Sequence, residues 1–299
     1  MTGRSAAGPT RREVTASLAA RLGSAAEARW LVEHVAGGGW PGDGLTSGQV
    51  LGLATLAERR AAGEPLQYLL GTWPFRTIEL AVDRRALIPR PETEEVVGVA
   101  LGALGRPGDG SGDGPVVVDL GTGSGAVALS LAVELAGDLP GLVVWATDAD
   151  ADALSLAAEN RDRVAAAWPG LGVAGRVRLA RGSWFGALPT DVEGSVDLVV
   201  ANPPYVAGEE WGSLDPEVRR EPRRALVAAA GSDGTPGLAD VEEVLAGAPR
   251  WLRPAGAVVV ETAPHQAAAA AALARRLGYS EVEVFGDLAG RDRGVVARG

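Results

Sequence analysis

One short segment near the middle of the chain combines an apolar run, a glycine-rich turn and the start of a helix. Val116–Leu120 reads Val-Val-Val-Asp-Leu, the pattern of a strand that is buried on both faces. Gly121, Gly123 and Gly125 follow, and a helical pattern covers Ser124–Ala136. In open α/β sheets, ligands bind beyond the carboxyl ends of the strands, where such turns lie. The segment therefore predicts a parallel sheet with a ligand site at this turn.

The rest of the chain repeats this alternation of strand and helix. Further apolar runs lie at Leu142–Thr147, Val196–Ala201 and Ala257–Glu261, with helical patterns at Ala151–Ala167, Leu238–Ala248 and His265–Leu277. Such alternation predicts a mostly parallel, doubly wound sheet. The last runs, Val282–Phe285 and Gly294–Ala297, are joined by a short charged turn, which predicts an antiparallel hairpin at the sheet edge because parallel strands need a longer crossover.

The first part of the chain has a different, helical character. Apolar spacing predicts helices at Arg11–Leu22, Ala25–Ala36, Ser47–Ala62 and Pro65–Leu70, and a strand at Phe75–Val82. Glycine-rich breaks at Gly37–Gly44 and Gly105–Pro115 predict connecting segments. We therefore expect a helical domain over residues 1–74, a β-hairpin connection over residues 75–90 and an α/β domain over residues 91–299.

Composition excludes several classes of site. The 299 residues contain no cysteine, which excludes disulfides, thiolate metal sites and cysteine nucleophiles, and only two histidines, His34 and His265, so we expect no metal site. A formal net charge of −10 argues against a protein whose main partner is a nucleic acid. The first residues lack the apolar core of a signal peptide, and no apolar run reaches the length of a membrane span, so we expect a cytoplasmic protein without membrane binding.

The glycine turn alone does not identify which nucleotide-containing ligand binds there. Gly121, Gly123 and Ala126 also satisfy the dinucleotide pattern of nicotinamide-dependent oxidoreductases. Asp148 ends the next apolar run, where a carboxylate can accept both ribose hydroxyls of an adenosine. We assign Asp148 to the ribose and Asp150, which is closer to the helical pattern, to the helix N-cap.

The tetrapeptide Asn202-Pro203-Pro204-Tyr205 favours methyl transfer over hydride transfer. An amide or aryl amine nitrogen attacks carbon poorly because its lone pair is delocalised, so its N–H groups must be held by acceptors. The Asn202 side-chain oxygen can accept one N–H, and the Pro203 carbonyl, held in a rigid turn by two prolines, can accept the other. Tyr205 can pack against the planar group.

Several further segments carry a resemblance to a known family. With the glycine turn, Asp148 and the tetrapeptide, they resemble the release-factor glutamine methyltransferase family over roughly Gly63–Arg298. The resemblance rests on Gly63–Gly71, Phe75, Leu87–Glu94, Val218–Pro222 and Asp287–Arg293. The residues before Gly63 match mainly in helical character.

The resemblance implies an α/β fold: a Rossmann-like, seven-stranded class I methyltransferase domain with a small N-terminal helical domain joined by a β-hairpin. It implies S-adenosyl-L-methionine as cofactor. The implied substrate is the glutamine of the Gly-Gly-Gln motif in class I peptide-chain release factors, methylated on the side-chain nitrogen N5. No stable nucleic-acid binding is expected.

The resemblance also implies roles for individual residues. The expected cofactor-binding residues are Gly121, Thr122, Gly123, Ser124, Gly125, Asp148, Trp184 near the adenine, and Asn202. The expected catalytic residues are Asn202, Pro203 and Tyr205, and Pro204, Arg90 and Glu94 complete the expected substrate pocket. The chain departs from the family pattern at Ser183, Arg220 and Thr262–Ala263.

Alternative functions share parts of this pattern. A sister enzyme that methylates a ribosomal-protein glutamine would share the site and differ in the N-terminal helical domain that docks the protein substrate. An adenine-N6 methyltransferase acting on DNA fits the tetrapeptide but not the acidic charge. A non-catalytic cofactor-binding module would not need the intact tetrapeptide, and an oxidoreductase has no use for it.

Overall fold

The computed structural model describes residues 8–104 and 114–299. The chain divides into two compact units, the first of Met1–Gly71 and Pro216–Arg220 and the second of Thr72–Asp215 and Glu221–Gly299. Most of the glycine-rich break predicted at Gly105–Pro115 lies outside the described residues, as do the first seven residues of the chain. The earlier break at Gly37–Gly44 contains no helix or strand.

The first unit contains four helices, and side-chain caps fix the N-terminal ends of the first three. They are α1 (Arg11–Leu22), α2 (Ala25–Ala36), α3 (Ser47–Ala61) and α4 (Leu66–Leu70). The Thr10 hydroxyl accepts the Glu13 N–H at 3.2 Å, and the Glu13 carboxylate accepts the Thr10 N–H at 2.8 Å. Thr46 and Gln49 repeat this reciprocal cap at α3. Helix α1 ends at Gly23, whose left-handed conformation with φ 72° closes the last turn as predicted.

The helices of the first unit pack around a small apolar core. Leu31 and Leu53 are almost completely buried at its centre. Arg60 joins two elements across this core: its guanidinium bonds the Glu27 carboxylate at 2.6 Å and the Glu217 carboxylate at 2.6 Å. Because Arg60 is mostly shielded from solvent, these ion pairs tie the short downstream segment to the helices more firmly than surface pairs would.

The second unit contains eleven strands and six α-helices among the described residues. The strands are β1 (Thr72–Phe75), β2 (Ile78–Ala81), β3 (Val116–Leu120), β4 (Val143–Asp148), β5 (Val177–Arg181), β6 (Val196–Ala201), β7 (Val206–Ala207), β8 (Val227–Ala228), β9 (Leu252–Glu261), β10 (Glu281–Gly286) and β11 (Asp292–Arg298). The helices are α5 (Pro91–Ala103), α6 (Ala126–Glu134), α7 (Ala151–Ala167), α8 (Val173–Arg176), α9 (Ala239–Trp251) and α10 (Ala267–Arg276).

Seven of these strands form one sheet in the order β10-β11-β9-β6-β3-β4-β5. Strands β9, β6, β3, β4 and β5 run parallel, while β11 is antiparallel to both neighbours and forms the predicted hairpin with β10 at the edge. In the register, Leu120 of β3 lies opposite Thr147 of β4 and Ala201 of β6. The predicted α/β fold class is thus confirmed, and the carboxyl ends of β3, β4 and β6 lie side by side.

Alternate residues of the central strands face two separate apolar layers. Val117 of β3 and Val200 of β6 pack in the layer that contains α5 and α6 residues. Val118 of β3 and Val199 of β6 pack in the opposite layer with α9 and α10 residues. Successive side chains of a strand point to opposite faces, so continuous apolar runs require helices on both sides.

Helix α6 is apolar on every side and lies within the core. All residues from Ala126 to Val133 are buried. A helix that is apolar all round is buried in the protein interior or spans a membrane, and its nine residues are too few for a span. No helix in the described stretches combines the length and hydropathy needed to cross a bilayer.

Strand β5 of the seven-stranded sheet was not identified by sequence patterning, and neither were the short elements α8, β7 and β8. The sequence of β5, Val-Arg-Leu-Ala-Arg, carries charges instead of a continuous apolar run. The strand lies at the sheet edge, where charged side chains are common because they discourage further pairing. The Arg178 guanidinium stacks over the Trp145 ring on the neighbouring strand, 5.3 Å from its centroid.

The β-hairpin begins earlier and ends earlier than the sequence suggested. Strands β1 and β2 pair from Thr72 to Ala81, so the pairing does not cover the expected range of 75–90, and Thr72 opens the second unit. Asn160 of α7 fixes the hairpin there: its side-chain oxygen accepts the Ala81 N–H at 2.7 Å and its amide donates to the Ala81 carbonyl at 3.0 Å. The same amide donates to the Ser124 carbonyl in the glycine turn at 2.9 Å.

Candidate functional site

A cavity of about 630 Å³ opens at the carboxyl ends of β3, β4 and β6. This volume is typical of a small-molecule site, and the position is where open α/β sheets bind ligands. Its wall includes most of the residues singled out from the sequence. These are Arg90, Gly121, Thr122, Gly123, Ser124, Asp148, Trp184, Asn202 and Pro204.

The glycine turn forms the floor of the cavity. Gly121, Gly123 and Gly125 all have left-handed backbone conformations, with φ of 70°, 56° and 85°. Asp119, buried at the end of β3, supports the turn from below: its carboxylate accepts the Thr122 hydroxyl at 2.6 Å and the Ala128 N–H at 3.1 Å. Burial raises the pKa of Asp119 to about 7 despite these two bonds.

Asp148 lies beside the turn at the end of β4. Its carboxylate accepts the Gly123 N–H at 2.9 Å and the Asp150 N–H at 2.9 Å, which fixes the orientation of the side chain. Burial raises the pKa of Asp148, opposed by the hydrogen bond from the Gly123 N–H, by the positive charge of Arg224 and by the Ala149 N–H. Asp150 caps α7 by accepting the Asp152 N–H at 2.8 Å, which confirms its predicted role. The N-cap of α7 is therefore Asp150 and not Asp148.

Trp184 forms part of the cavity wall in a strained backbone conformation. Its φ of 43° lies in the left-handed region, which bulky residues rarely adopt. The indole stands directly over Gly121, where an added Cβ would lie 3.5 Å from the ring. The next residue, Phe185, stacks on Trp251 with ring centroids 6.0 Å apart and anchors the segment in the core. Strain of this kind is concentrated at ligand sites, because surrounding packing must sustain it.

The tetrapeptide enters the cavity from the end of β6. Asn202 and Pro204 line the wall, whereas Pro203 is buried behind them. The Asn202 side-chain amide donates to the Thr93 hydroxyl at 3.0 Å. With its amide nitrogen so engaged, the Asn202 side-chain oxygen is the atom left to accept an N–H from a ligand.

A second set of contacts holds the backbone after the tetrapeptide. The Gln266 amide donates to the carbonyls of Tyr205 at 2.9 Å and Pro236 at 2.8 Å. The Leu226 carbonyl accepts the N–H groups of Tyr205 at 3.2 Å and of Val206 at 2.8 Å. The turn that carries Asn202 is therefore fixed by contacts on both sides.

The loop before α5 forms the opposite wall and is held by a buried carboxylate. Glu221 accepts the Ile88 N–H at 2.9 Å and pairs with the Arg90 guanidinium. Its side chain is 1% exposed, so its charge is matched by Arg90 rather than by water. This clamp positions Pro89 and Arg90 at the cavity.

Four of the predicted site residues do not line the cavity among the residues that the structure describes. Gly125 serves as the N-cap of α6, and Pro203 is buried. The Tyr205 hydroxyl instead donates to the Glu261 carboxylate at 3.3 Å. Glu94 of α5 contributes its backbone carbonyl to the Arg76 guanidinium at 2.8 Å.

Sequence reasoning missed three residues that hold the site: Thr93, Asp119 and Glu261. Two of them could have been noticed, because Asp119 and Glu261 are carboxylates at the carboxyl ends of otherwise apolar strands. Thr93 gave no such signal within its acidic helix start. At the departures from the family pattern, Ser183 lines the cavity and Thr262 is fully buried. Within residues 8–104 and 114–299, no cluster of acidic and histidine side chains could hold a metal ion.

Two family models match the chain. The PrmC N-terminal domain matches residues 10–71, and the methyltransferase small domain matches residues 111–214. The two matches cover the helical unit and the part of the second unit that carries the glycine turn, Asp148 and Asn202.

Curated relatives match over most of the chain. The release factor glutamine methyltransferase of Bordetella pertussis is 41% identical over 274 residues, covering 89% of this chain and 92% of its own length. Those of Gloeobacter violaceus and Deinococcus radiodurans are 41% and 39% identical and cover 82% and 91% of this chain, with 78% and 90% of their own lengths matched.

Solved structures share the fold at low sequence identity. The human METTL16 catalytic domain in complex with a MAT2A 3′UTR hairpin has a TM-score of 0.53 at 15% identity, over 85% of this chain and 82% of that one. The N-terminal domain of human METTL16 in complex with SAH has a TM-score of 0.51 at 14% identity, over 95% and 94%. These structures share the fold, and the identity of the curated relatives over most of both chains shows that the chain belongs to the release factor glutamine methyltransferase family.

Proposed function

We propose that this protein transfers a methyl group from S-adenosyl-L-methionine to the side-chain amide nitrogen of the glutamine in the Gly-Gly-Gln motif of class I peptide-chain release factors. The observation that carries the proposal is the placement of Asn202 and Pro204 in the same cavity as the glycine turn and Asp148. The relatives' names supply the substrate, since each is a release factor glutamine methyltransferase.

The cavity residues fit the cofactor. The glycine turn lets a ligand approach the backbone closely, the Asp148 carboxylate can accept ribose hydroxyls, and the Trp184 indole offers an apolar face to the adenine. Asn202 stands beside this group and would contact both cofactor and substrate. When bound, the cofactor would supply an electrophilic methyl group and leave as S-adenosyl-L-homocysteine, while the glutamine nitrogen would lose one N–H proton to water.

The tetrapeptide would hold the side-chain amide of the substrate glutamine. A glutamine amide nitrogen is planar and a weak nucleophile, so its two N–H groups have to be held while its face is aimed at the methyl group. The Asn202 oxygen would accept one N–H and the Pro203 carbonyl the other, while Tyr205, which bonds Glu261 and does not line the cavity, would hold the turn that carries them. Fixing this geometry makes the transfer effectively unimolecular, which is the main contribution the protein makes to the rate.

The first unit is the proposed docking surface for the release factor. A glutamine in a folded protein can enter the cavity only on an exposed loop, so a second contact surface is needed to recognise the rest of the partner. The unit matches the PrmC N-terminal domain and exposes apolar side chains, among them Trp40 at 77% and Leu51 at 70%. Translation factors are cytoplasmic substrates, so the proposed activity is cytoplasmic, and it requires no stable nucleic-acid binding.

The direct test is mass spectrometry of a class I release factor incubated with the protein and S-adenosyl-L-methionine. One added methyl group on the Gly-Gly-Gln glutamine, absent with Asn202→Ala, is the expected result. Thermal unfolding followed by circular dichroism shows whether the variant is still folded. An unmodified release factor in the presence of bound cofactor would contradict the proposal, and a methylated ribosomal protein in the same assay would replace the substrate.

A further inference from the structure

We propose that Thr93, held by the buried carboxylate of Glu261, is the positioning residue that decides which atom of the Asn202 amide faces the substrate. This inference rests on the proposed function and concerns the same site. Thr93 belongs to α5, Glu261 ends β9 and Asn202 follows β6. The three residues come from elements far apart in the chain and meet only in the folded second unit.

These contacts form a continuous chain of hydrogen bonds from the core to the cavity. The Thr93 hydroxyl donates to one Glu261 carboxylate oxygen at 2.8 Å and accepts the Asn202 amide N–H at 3.0 Å. The Tyr205 hydroxyl donates to the other Glu261 oxygen at 3.3 Å. Thr93 is 4% exposed and Glu261 1% exposed, so both side chains rely on these protein partners for their hydrogen bonds.

The number of protons on each group decides which group donates and which accepts in these hydrogen bonds. A hydroxyl carries one proton, and an ionised carboxylate can only accept, so the Thr93 proton goes to Glu261. The remaining lone pairs of the Thr93 oxygen then require a donor, which on Asn202 is the amide nitrogen. The reversed amide would place two acceptors against each other in a buried site and leave both without a proton. The Asn202 oxygen consequently faces the cavity.

This orientation is the one that methyl transfer to an amide needs. The substrate nitrogen presents N–H groups, and only an acceptor can hold them. A reversed Asn202 would direct its own N–H groups at those of the glutamine. The hydrogen bonds from Glu261 through Thr93 to Asn202 therefore place the Asn202 oxygen, a hydrogen-bond acceptor, next to the reacting nitrogen. Neither Thr93 nor Glu261 carries out the transfer.

The charges around Glu261 act on its ionised form in opposite senses. Arg293 favours the carboxylate, and the nearby Glu92 disfavours it. Arg293 is itself held by Asp287 at 2.9 Å and Glu92 at 3.2 Å. The Thr93 and Tyr205 hydroxyls also favour the carboxylate, while burial raises the pKa of Glu261 to about 7. Assays at about pH 8 keep the carboxylate mostly ionised.

The test compares Thr93→Val, which keeps the shape and removes the hydroxyl, with Thr93→Ser, which restores the hydroxyl. We expect Thr93→Val to lower kcat for release-factor methylation by about 10- to 100-fold, with KM and the cofactor Kd changed less than about threefold. Thr93→Ser is expected to recover kcat to within about threefold of the wild type. Equal kcat values for Thr93→Val and the wild type, or equal losses in both variants, would overturn the inference.

A second readout does not depend on catalysis. The side-chain amide protons of Asn202, assigned in ¹⁵N-labelled protein by their loss in Asn202→Asp, report the bond to Thr93 directly. Their exchange with solvent is expected to be slow in the wild type and Thr93→Ser and at least about 10-fold faster in Thr93→Val. If the wild type fails to methylate any release factor, the proposed function is refuted, while this measurement still decides the inference: equal exchange in all three proteins would overturn it.

Discussion

Asp148 is the single side chain whose charge should matter most for cofactor affinity. Its carboxylate is fixed by the N–H groups of Gly123 and Asp150 and keeps further lone pairs for ribose hydroxyls. Because hydrogen bonds to a charged acceptor contribute about 1.5–3 kcal/mol, Asp148→Asn should raise the Kd for S-adenosyl-L-methionine about 10- to 100-fold in calorimetry. Asp162→Asn, at an exposed position of α7, serves as the control. A Kd for Asp148→Asn within twofold of the control would exclude the ribose role.

Glu261 gives stability a pH dependence with a definite sign. Burial raises its pKa from 4.5 to about 7, so the folded protein binds this proton more tightly than the unfolded chain does. The resulting stability is fully present below pH 4.5 and is lost as the pH rises through about 7. The difference between the two pKa values corresponds to about 3 kcal/mol.

Denaturant unfolding of the wild type and Glu261→Gln at about pH 5 and about pH 8 measures this effect. The free energy of unfolding of the wild type should fall more than that of the variant between the two values, by about 2–3 kcal/mol. Asp119, whose pKa burial also raises to about 7, is present in both proteins and cancels in the comparison. Parallel pH dependences would show that Glu261 is not buried with a raised pKa.

Residue types and their order predicted the cavity residues that lie within recognisable motifs, but not the partners that hold those motifs in place. Gly121–Ser124, Asp148 and Asn202 lie in single motifs whose chemistry is visible in the sequence. Thr93 and Glu261 are separated by 168 positions, and nothing local indicates that their side chains meet. Hydrogen bonds of this kind follow from the packing of α5 against β9, which a single sequence does not specify.

Between elements, the segment before α9 controls the turn that carries Asn202. Gly237 has a φ of 70°, and a Cβ there would lie 2.2 Å from the Tyr205 carbonyl oxygen and 2.7 Å from the Gln266 amide nitrogen. Gly237→Ala should therefore displace the turn and lower kcat by about 10-fold or more, while the cofactor Kd changes less than about threefold.

A nearby glycine separates steric displacement from backbone strain. Gly234 also has a left-handed φ, of 85°, but a Cβ there would meet nothing within 4 Å. Gly234→Ala thus carries the left-handed penalty of about 1–2 kcal/mol without the clash. Steady-state kinetics should show a loss of kcat for Gly237→Ala only. Similar kcat values in the two variants would mean that the contact with Tyr205 has no influence on the reaction.

Element prediction succeeded where a strand is buried on both faces or belongs to a hairpin with a short turn, and failed where strand character comes from pairing alone. The apolar runs of β3, β4 and β6 and the short turn between β10 and β11 were sufficient to predict them. Strand β5 is half charged and its strand character comes from pairing with β4. The start of the hairpin at Thr72 likewise depends on pairing with β2 and on the Asn160 contacts, which are tertiary.

Across the chain, separate roles for the two units lead to a separation of kinetic effects. If the first unit recognises the body of the release factor, then replacing its exposed apolar side chains should weaken docking without touching the chemistry. Trp40→Ser and Leu51→Ser, at side chains that are 77% and 70% exposed, should each raise KM for the release factor by about 5- to 10-fold, since a buried aromatic or aliphatic contact contributes about 1–2 kcal/mol. The kcat at saturating release factor and the cofactor Kd should stay within about twofold of the wild type, because neither residue lies at the cavity.

Leu288→Ser, at a side chain of the second unit that is 92% exposed, removes a similar apolar surface and should leave KM unchanged. An equal rise of KM in all three variants would assign the effect to general surface hydrophobicity, and unchanged KM in all three would move the docking surface to polar parts of the first unit or to the second unit.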